Sequence, residues 1–565
     1  METINSLNSR LRLSVAAVLI AAMVAPAPLL AASPNDNQPD LQMASRIREE
    51  GFHHSKVMEI ESELTDRLGP RLSGSSNLKK ANEWTRDTLA GYGLQNAHLE
   101  GYNFGRGWAL DSVNVRMTAP TVAQLVALPK AWTPGTQGEI KGEVVQMKAT
   151  TPEELEAYRG KLNGNIVLVG TMRDITPEAE PLLNRYDEAK LKELETYKVP
   201  GGGPNPMLEM YKKRFFFQRA MDKFLAEEKP AVTIEASRGQ AGVVFVQGTQ
   251  AYKPGSPEGV PQLVMAVENF GRIYRLLERK VPVELDINVQ SHFEEPDGGK
   301  IFNTVAEIPG TDKKDEIVMV GGHLDSWHAG TGATDNAAGC AVAMEAVRIL
   351  QRLGVKPRRT IRIALWSGEE EGLLGSRAYA ADHFGKREEA KGQDESLPSF
   401  LREQTNMPLH LLPEQAKVSA YFNVDNGTGK LRGIYTQENS AVVPIFAAWG
   451  EPFHDLGFTT ITNRTTGGTD HLSFDAVGIP GFQFIQDSVE YETLTHHSNM
   501  DVYERIQKDD MMQAAIIEAS FLYNTAMRDE MLPRKDFSVD TKIVKDGATT
   551  PTADQKPAEK KGKKK

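Results

Sequence analysis

The spacing of hydrophobic and polar positions changes along the chain and divides it into regions. From about residue 41 to 110 apolar residues recur at intervals of three and four, most clearly in KKANEWTRDTLAGYGL, and predict mainly helical structure. From about 117 to 290 short β runs separated by turns follow: AQLVAL, GEVVQM, GNIVLVG, AGVVFVQG and PQLVMAV. This change predicts a separate β-rich inserted domain over 117–290. Within it, a stretch from about 172 to 215 is rich in Glu, Lys, Gly and Pro and predicts a mobile surface excursion.

From about residue 301, strands alternate with helices. The strands are IVMVGG, TIRIALW, VSAYFNV and GFQFIQ, and the clearest helices are AAGCAVAMEAVRILQRL and DDMMQAAIIEASFLYNTAM. This alternation predicts an α/β fold with a mixed, mostly parallel sheet flanked by helices. The main domain would combine 41–116 with 291–532. Active sites of such sheets lie beyond the carboxyl ends of the strands.

The two ends of the chain differ from the rest. Two arginines precede an apolar stretch from Leu13 to about Ala32, which is broken by prolines and followed by a polar run. Residues 1–32 therefore read as a signal peptide and predict an exported protein, periplasmic or secreted. An uncleaved membrane anchor is the alternative, but the apolar run is short for a span. The Lys-rich tail over 533–565 is predicted to be disordered.

Composition limits the possible classes of protein but does not indicate a function. The chain has 565 residues, 40% hydrophobic and 25% charged, which is enough for a large core and for several domains at about 150 residues each. A net charge of −11 argues against general nucleic-acid binding. The only cysteine, Cys340, excludes an internal disulfide and lies in a small-residue helical segment where packing is its expected role.

Five short segments each contribute a carboxylate or an imidazole, most of them at the end of a strand-like run. These residues are His323, Asp335, Glu369 with Glu370, Asp425 and His497. Zinc prefers such ligands in low coordination number, and a catalytic site keeps one position open for water. Together the segments predict a hydrolytic site with two metal ions.

Each of these segments has a simpler reading when taken alone. Asp335 could bridge two ions about 3.5–4 Å apart with its two oxygens, or it could be the N-cap of the helix that starts at Ala337. Asp325, two residues after His323, is a candidate partner for the second ring nitrogen of that imidazole. Adjacent Glu369 and Glu370 could be an ordinary surface loop, but a metal ligand beside a general base explains two neighbouring carboxylates at a strand end.

Three other catalytic signatures are missing from the sequence. It contains no H-E-x-x-H, so a thermolysin-like single-zinc site is excluded. GTGATD lacks the third glycine of a dinucleotide-binding loop, and no G-x-S-x-G marks a nucleophilic serine.

The ordered motifs GGHLDS, TDNAAG, WSGEEEGLLGS, FNVD, TDHLSFDAVGIP and HHSNMD resemble the zinc-dependent exopeptidases of metallopeptidase family 28. The resemblance extends over nearly the whole mature chain, because RLSGS and FGRGW are similar to the carboxypeptidase Q branch of that family. It implies the zinc exopeptidase fold, a cis peptide bond between Asp335 and Asn336, and a protease-associated domain over 117–290 that covers the cleft.

The resemblance also implies two zinc ions that share one aspartate. The ligands of the two ions would be His323, Asp335 and Asp425 for one, and Asp335, Glu370 and His497 for the other. Glu369 would be the general base, which takes a proton from the attacking water and passes it to the leaving amine. Asp325 would orient His323.

The chain departs from the family pattern beside the last ligand. Many relatives have a tyrosine there, whereas this chain has His496. His497 keeps the family spacing to Asp501 and is therefore the predicted ligand. His496 is a candidate for stabilising the oxyanion and His471 for lining the same pocket, and both could equally be structural histidines.

The sequence leaves the choice of peptide end open. It predicts an exopeptidase that acts on short peptides, favouring an aminopeptidase or dipeptidase over a carboxypeptidase Q-like enzyme. A non-catalytic receptor-like ectodomain and a one-zinc acyl transferase similar to glutaminyl cyclase are more remote alternatives, because no ligand is missing. A homodimer is left open.

Overall fold

Strands in two eight-stranded sheets and one small sheet form the framework of the described residues. The computed structural model describes residues 37–176, 181–197, 206–388, 392, 397, 407–536 and 543–545. The strands are β1 Gln95–Asn103, β2 Gly107–Ala119, β3 Ala123–Gln124, β4 Ala127–Pro129, β5 Ile140–Met147, β6 Ile166–Val169, β7 Val232–Ala236, β8 Gln262–Met265, β9 Glu284–Glu294, β10 Lys300–Ile308, β11 Lys313–His323, β12 Arg359–Trp366, β13 Gly385–Arg387, β14 Leu409–Leu411, β15 Val418–Asn423, β16 Leu431–Tyr435, β17 Thr460–Thr462, β18 Gly481–Gln486 and β19 Ile543–Lys545.

The α-helices lie before, between and after these strands. They are α1 Leu41–His53, α2 Val57–Ser62, α3 Ser76–Gly91, α4 Pro152–Leu155, α5 Glu188–Glu195, α6 Pro206–Glu228, α7 Val267–Glu278, α8 Ala338–Arg352, α9 Leu374–His383, α10 Val443–Gly450, α11 His471–Asp475 and α12 Lys508–Met527. Within the described part of the chain, none of the helices combines the length and apolarity that crossing a membrane requires. The predicted signal peptide lies outside the described residues.

The first sheet has the strand order β1-β10-β12-β11-β15-β18-β16-β17. Its four central strands, β12, β11, β15 and β18, run parallel, and β10 and β16 join them in antiparallel pairs. This arrangement confirms the predicted mixed, mostly parallel sheet. The predicted helices over 337–353 and 509–527 are α8 and α12.

Both faces of the first sheet are covered, which explains the near-continuous apolar runs of its strands. Successive side chains point to opposite faces. Val318 and Val320 of β11 pack with α8 and α12 in one cluster, while Ile317 and Met319 pack with α9 and α11 in another. The sheet is therefore the middle layer of a three-layer structure.

The second sheet has the order β3-β2-β9-β5-β6-β7-β8-β4 and a hydrophobic core of its own. β5, β6, β7 and β8 are parallel to one another, and β2 and β9 form a long antiparallel pair. β2 and β9 cross positions 117 and 290, so the sheet extends beyond the sequence-based limits at both ends. The division into domains stays a prediction.

The predicted strand AGVVFVQG is wrong. Residues 241–248 form an irregular loop. Its backbone bonds to a distant segment of the chain, where Val246 N–H donates to the carbonyl of His497 at 3.1 Å. The four consecutive apolar residues over 243–246 belong to a buried loop, which a short apolar run in the sequence cannot distinguish from a strand.

Three further expectations need correction. Helical structure ends at Gly91 rather than near 110, because β1 and β2 follow and pair with β10 and β9. The excursion over 172–215 contains α5 and the first part of α6 among its described residues. In the tail, β19 adds in parallel to β14; most of the predicted disordered tail lies outside the described residues.

Candidate metal centre

Three neighbouring parallel strands bring the predicted ligands to one edge of the first sheet. His323 is the last residue of β11, while Glu369 and Glu370 follow the end of β12 and Asp425 follows the end of β15. β11 lies between β12 and β15. Since the carboxyl ends of parallel strands meet at the same edge, residues far apart in sequence converge there.

Asp335 lies at the middle of the centre and faces a histidine with each oxygen. Its Oδ1 is 3.4 Å from Nε2 of His323, and its Oδ2 is 3.2 Å from Nε2 of His497. Nε2 of His323 is also 3.3 Å from Oδ1 of Asp425, and Nε2 of His497 is 3.0 Å from Oε2 of Glu370. The side chains thus form two groups that share Asp335, in the pairing expected for two ligand sets.

The loop before α8 holds Asp335 in this position. The Asp335–Asn336 peptide bond is cis, as predicted. Asn336 anchors the loop, because its Oδ1 accepts from the N–H of Gly339 at 3.0 Å and its Nδ2 donates to the carbonyl of Val424 at 3.0 Å. A Cβ on Gly339 would lie 2.1 Å from that carbonyl oxygen, so glycine is required there. The helix-capping alternative for Asp335 is wrong, since Ala337 is at the N-cap position of α8 and the side chain that accepts from the first turn is that of Asn336.

Asp325 contacts the second ring nitrogen of His323, as predicted, and it does so through its backbone carbonyl. Nδ1 of His323 lies 3.0 Å from the backbone carbonyl oxygen of Asp325 and 3.8 Å from its carboxylate. The carboxylate instead accepts from the backbone N–H groups of Glu369 at 3.2 Å and Glu370 at 3.3 Å, and from the hydroxyl of Ser73 at 3.2 Å. Asp325 therefore orients His323 through its main chain and the two glutamates through its side chain.

Arg71 fixes the loop between β11 and Asp335. Its guanidinium is fully buried and donates to the carbonyls of Leu324 at 2.7 Å, Thr331 at 2.8 Å and Gly332 at 2.7 Å. Such a fork of charged donors holds several carbonyls in one geometry. The RLSGS motif thus supplies structural support for the centre, which explains why this motif accompanies the ligand motifs.

The electrostatics of the centre fit a cation. Burial raises the pKa of Glu369 well above its usual range and that of Glu370 to about 7. Burial also acts to raise the pKa of Asp335, but the imidazoles of His323 and His497 hold it well below its usual range. Among the described residues, Oε1 of Glu370 is buried without a hydrogen-bond partner, and buried Oδ2 of Asp335 meets Nε2 of His497 at 3.2 Å without the geometry of a hydrogen bond.

Imidazole and carboxylate donors are the ligands that zinc binds. His323, Asp335 and Asp425 form one group whose donor atoms lie within 4.8 Å of one another, and Asp335, His496 and His497 form another. Buried carboxylates with free lone pairs are costly unless a positive charge compensates them. The residues therefore fit metal ions on both sides of Asp335.

The two adjacent histidines differ in their distance from Asp335. Nε2 of His496 is 3.9 Å from Oδ2 of Asp335, whereas His497 is closer and also faces Glu370. The ring of His496 stacks on Tyr491 with centroids 4.6 Å apart. His471 is buried, and its Nε2 lies 3.2 Å from the carbonyl oxygen of Thr466. It belongs to neither of the two groups of possible metal ligands.

The second sheet contributes a loop, residues 237–248, to the same site. Val246 bonds to His497, and the side chain of Gln247 lies 3.2 Å from Nδ1 of His497. Arg238 reaches the carbonyl of His496 at 3.5 Å. Sequence reasoning missed Gln247 and Arg238, because nothing in the local pattern separates them from other exposed polar residues.

Comparison with known proteins gives consistent results. The sequence profile described as peptidase family M28 matches residues 303–522. Carboxypeptidase Q of Bos taurus is 29% identical over 478 residues, which are 83% of this chain and 85% of the relative.

Solved structures share the fold. The peptidase M28 precursor of Shewanella amazonensis aligns with a TM-score of 0.62 at 24% identity, over 88% of this chain and 98% of that one. The zinc aminopeptidase BSAP of Bacillus subtilis aligns with a TM-score of 0.52 at 18% identity, over 85% and 97%.

Proposed function

Because this chain belongs to peptidase family M28 and is a zinc metallopeptidase, we propose that it is a co-catalytic exopeptidase with two zinc ions, which removes residues from the ends of short peptides. The observation that carries the proposal is Asp335, whose two oxygens face His323 and His497 separately. A carboxylate in this position can serve two ions at once.

The proposed ligands include Glu370 rather than His496, because His497 is nearer than His496 to Asp335 and also faces Glu370. One zinc ion would be held by His323, Asp335 and Asp425, and the other by Asp335, Glu370 and His497. Bound zinc supplies a Lewis acid that polarises the scissile carbonyl and makes water a better nucleophile.

Glu369 is the proposed general base. Its backbone N–H is tied to Asp325, and its carboxylate is buried beside the centre without belonging to either ligand group. It is therefore free to accept a proton from the attacking water and to deliver it to the leaving amine. His496, whose side chain is 30% exposed at the mouth of the centre, is the proposed donor to the oxyanion.

The variant Glu369→Gln tests the base. We expect it to lose about 10²–10⁴-fold in kcat, because glutamine keeps the shape of the side chain but cannot take the proton. Zinc content by elemental analysis and the unfolding temperature should match the wild type. Full turnover by this variant would overturn the proposed mechanism, and a loss of zinc would instead make Glu369 a ligand.

A second proposal concerns which peptide end is recognised. The guanidinium of Arg238 lies 4.4 Å from the centroid of the Phe245 ring and next to His496. Burial and the nearby positive charge of Arg214 of α6 lower the pKa of Arg238. In the part of the chain that the structure describes, neither arginine forms an ion pair with a carboxylate. A guanidinium at the mouth of the site suits a free peptide carboxylate. This favours dipeptidase or carboxypeptidase action over aminopeptidase action.

Peptides with blocked ends test this proposal. We expect hydrolysis of free and N-acetylated short peptides and slow hydrolysis of C-amidated ones, followed by mass spectrometry. Arg238→Ala should lower kcat/KM for free-carboxylate peptides about 10–100-fold, the usual worth of a charge-assisted hydrogen bond, and leave amidated peptides unchanged. Arg279→Ala, an exposed arginine at the end of α7, is the matched control. Shortening of amidated peptides from the amino end would establish an aminopeptidase instead.

We also propose export to the periplasm or exterior, from the apolar segment over 13–32, and a protease-associated role for region 117–290. The loop of residues 237–248 supports the latter, because it carries that region to the mouth of the centre.

A further inference from the structure

We propose that Gln247 is a positioning residue for His497. Through it, the region of the second sheet, residues 107–294 from the start of β2 to the end of β9, sets the zinc affinity of the centre. The inference rests on the proposed function in one respect, since it takes His497 to be a zinc ligand. It goes beyond that function because it gives a metal-supporting role to a residue of the second sheet.

Backbone hydrogen bonds fix the loop of residues 237–248 against the segment that carries His497. Val246 N–H donates to the carbonyl of His497 at 3.1 Å, and Asn499 N–H donates to the carbonyl of Val244 at 3.1 Å. The side chain of Asn499 closes the same pairing by accepting from Val244 N–H at 2.8 Å. Because three bonds set the register, the residue after Val246 is held beside the ring of His497.

The position of the proton on the His497 ring determines whether Gln247 must donate or accept a hydrogen bond. Nε2 of His497 faces Asp335 and Glu370, so this nitrogen carries the lone pair that binds a cation. Nδ1 must then keep its proton and needs an acceptor. Nε2 of the Gln247 amide lies 3.2 Å from Nδ1. The two ends of an amide have nearly the same shape, so a half-turn of the amide puts Oε1 in this place, where it would accept from Nδ1–H.

The two histidines of the centre differ in where this support comes from. For His323 the acceptor is the backbone carbonyl of Asp325, which is buried and lies two residues beyond the end of β11. For His497 it is an exposed side chain of a loop that begins in the second sheet. One zinc site is therefore supported from within the first sheet, whereas the other depends on the packing of the two sheets.

Zinc affinity of the full mature chain, measured by competition with a chelator, tests the inference without any activity assay. We expect Gln247→Ala to weaken one of two bound ions by about 10-fold or more, the usual effect of removing the partner of a metal-bound histidine. Gln247→Glu, which keeps an acceptor, should retain wild-type affinity. Gln250→Ala, an exposed glutamine three residues away, is the matched control and should change nothing.

The outcomes separate this inference from the proposed function. His497→Ala should lose one ion; if it keeps both, the ligand set itself is wrong. If His497→Ala loses one ion while Gln247→Ala binds both as tightly as the wild type, the role of Gln247 is overturned and the ligand set stands. Equal losses in Gln247→Ala and Gln247→Glu, or a loss in Gln250→Ala, would also overturn it.

Discussion

At the scale of single residues, buried carboxylates differ in what surrounds them. Those of the centre lie beside imidazoles and beside one another, which is the setting expected for metal ligands. Glu518 of α12 is different. It is fully buried, and among the described residues neither of its oxygens has a hydrogen-bond partner. Burial raises its pKa well above the usual range, so Glu518 is held in the neutral form by its surroundings.

Glu518→Gln should stabilise the protein at neutral and alkaline pH. In the wild type, the unfolded chain ionises Glu518 above its ordinary pKa of 4.5 while the folded chain does not, so folding becomes less favourable as the pH rises. We expect a gain of about 1–3 kcal/mol in the free energy of unfolding at pH 8 and a smaller gain at pH 4, measured by urea denaturation. An equal effect at both pH values would contradict this account.

At this scale, the sequence could predict that three of the candidate ligands lie together, because each is at or just after the end of a recognisable strand. His323, Glu370 and Asp425 could be placed together from the carboxyl ends of three parallel strands. The support of these residues could not be predicted. The role of Asp325 depends on whether its carboxylate or its carbonyl faces His323, and that of Gln247 depends on a contact between residues 250 positions apart.

At the scale of elements, a charged cluster joins three parts of the first sheet. His383 at the end of α9 lies 2.9 Å from Glu100 of β1 and 3.3 Å from Glu414, which precedes β15. Hydrogen bonds to these two carboxylates raise the pKa of His383 to about 9. The imidazolium thus ties a helix end to an edge strand and a turn.

His383→Gln should remove this tie in a pH-dependent way. Because the folded pKa lies above the ordinary value of 6.5, the stabilisation is fully present below pH 6.5 and is lost as the pH rises through about 9. We expect a loss of about 1–2 kcal/mol at pH 6 after allowing for solvent screening.

Urea denaturation of wild type and variant at pH 6 and pH 10 measures this effect. The difference between the two proteins should nearly vanish at pH 10. A difference that stays constant would mean that His383 contributes packing rather than charge.

Whether a strand could be predicted from the sequence depended on how deeply it is buried. The central strands of the first sheet, β11, β12, β15 and β18, are buried and have long apolar runs, so their existence and order of appearance could be predicted. The loop of residues 237–248 contains a strand-like apolar run because Val244 and Val246 are buried against Val264 and Ala266 at the end of β8. β1 and β2 were missed because their exposed positions are too polar to mark a strand.

At the scale of the whole molecule, an aromatic cluster joins the two sheets. Trp132 packs with Tyr252 at 5.0 Å and with Trp327 at 5.9 Å between ring centroids, and Trp327 lies 6.1 Å from the ring of His497. A second connection runs through Arg185, which forms ion pairs with Asp487 and Asp510. The described residues from 39 onward accordingly form one unit.

We expect this unit to unfold in a single transition. Tryptophan fluorescence and far-ultraviolet circular dichroism should give the same midpoint, since several tryptophans lie at the junction of the sheets. Trp132→Ala should lower the free energy of unfolding by about 3–5 kcal/mol without splitting the transition. Two separate transitions in calorimetry of the wild type would contradict a single unit.

The backbone pairing between residues 244–246 and 497–499 has a consequence for engineering. A chimera that takes region 107–294 from a relative would keep His323, Asp335, Glu370, Asp425 and His497 unchanged in sequence. It would nevertheless bring a foreign loop against a native partner segment, with no assurance of matching register. Grafting therefore has to move the two segments as a pair, although about 250 positions separate them in the chain.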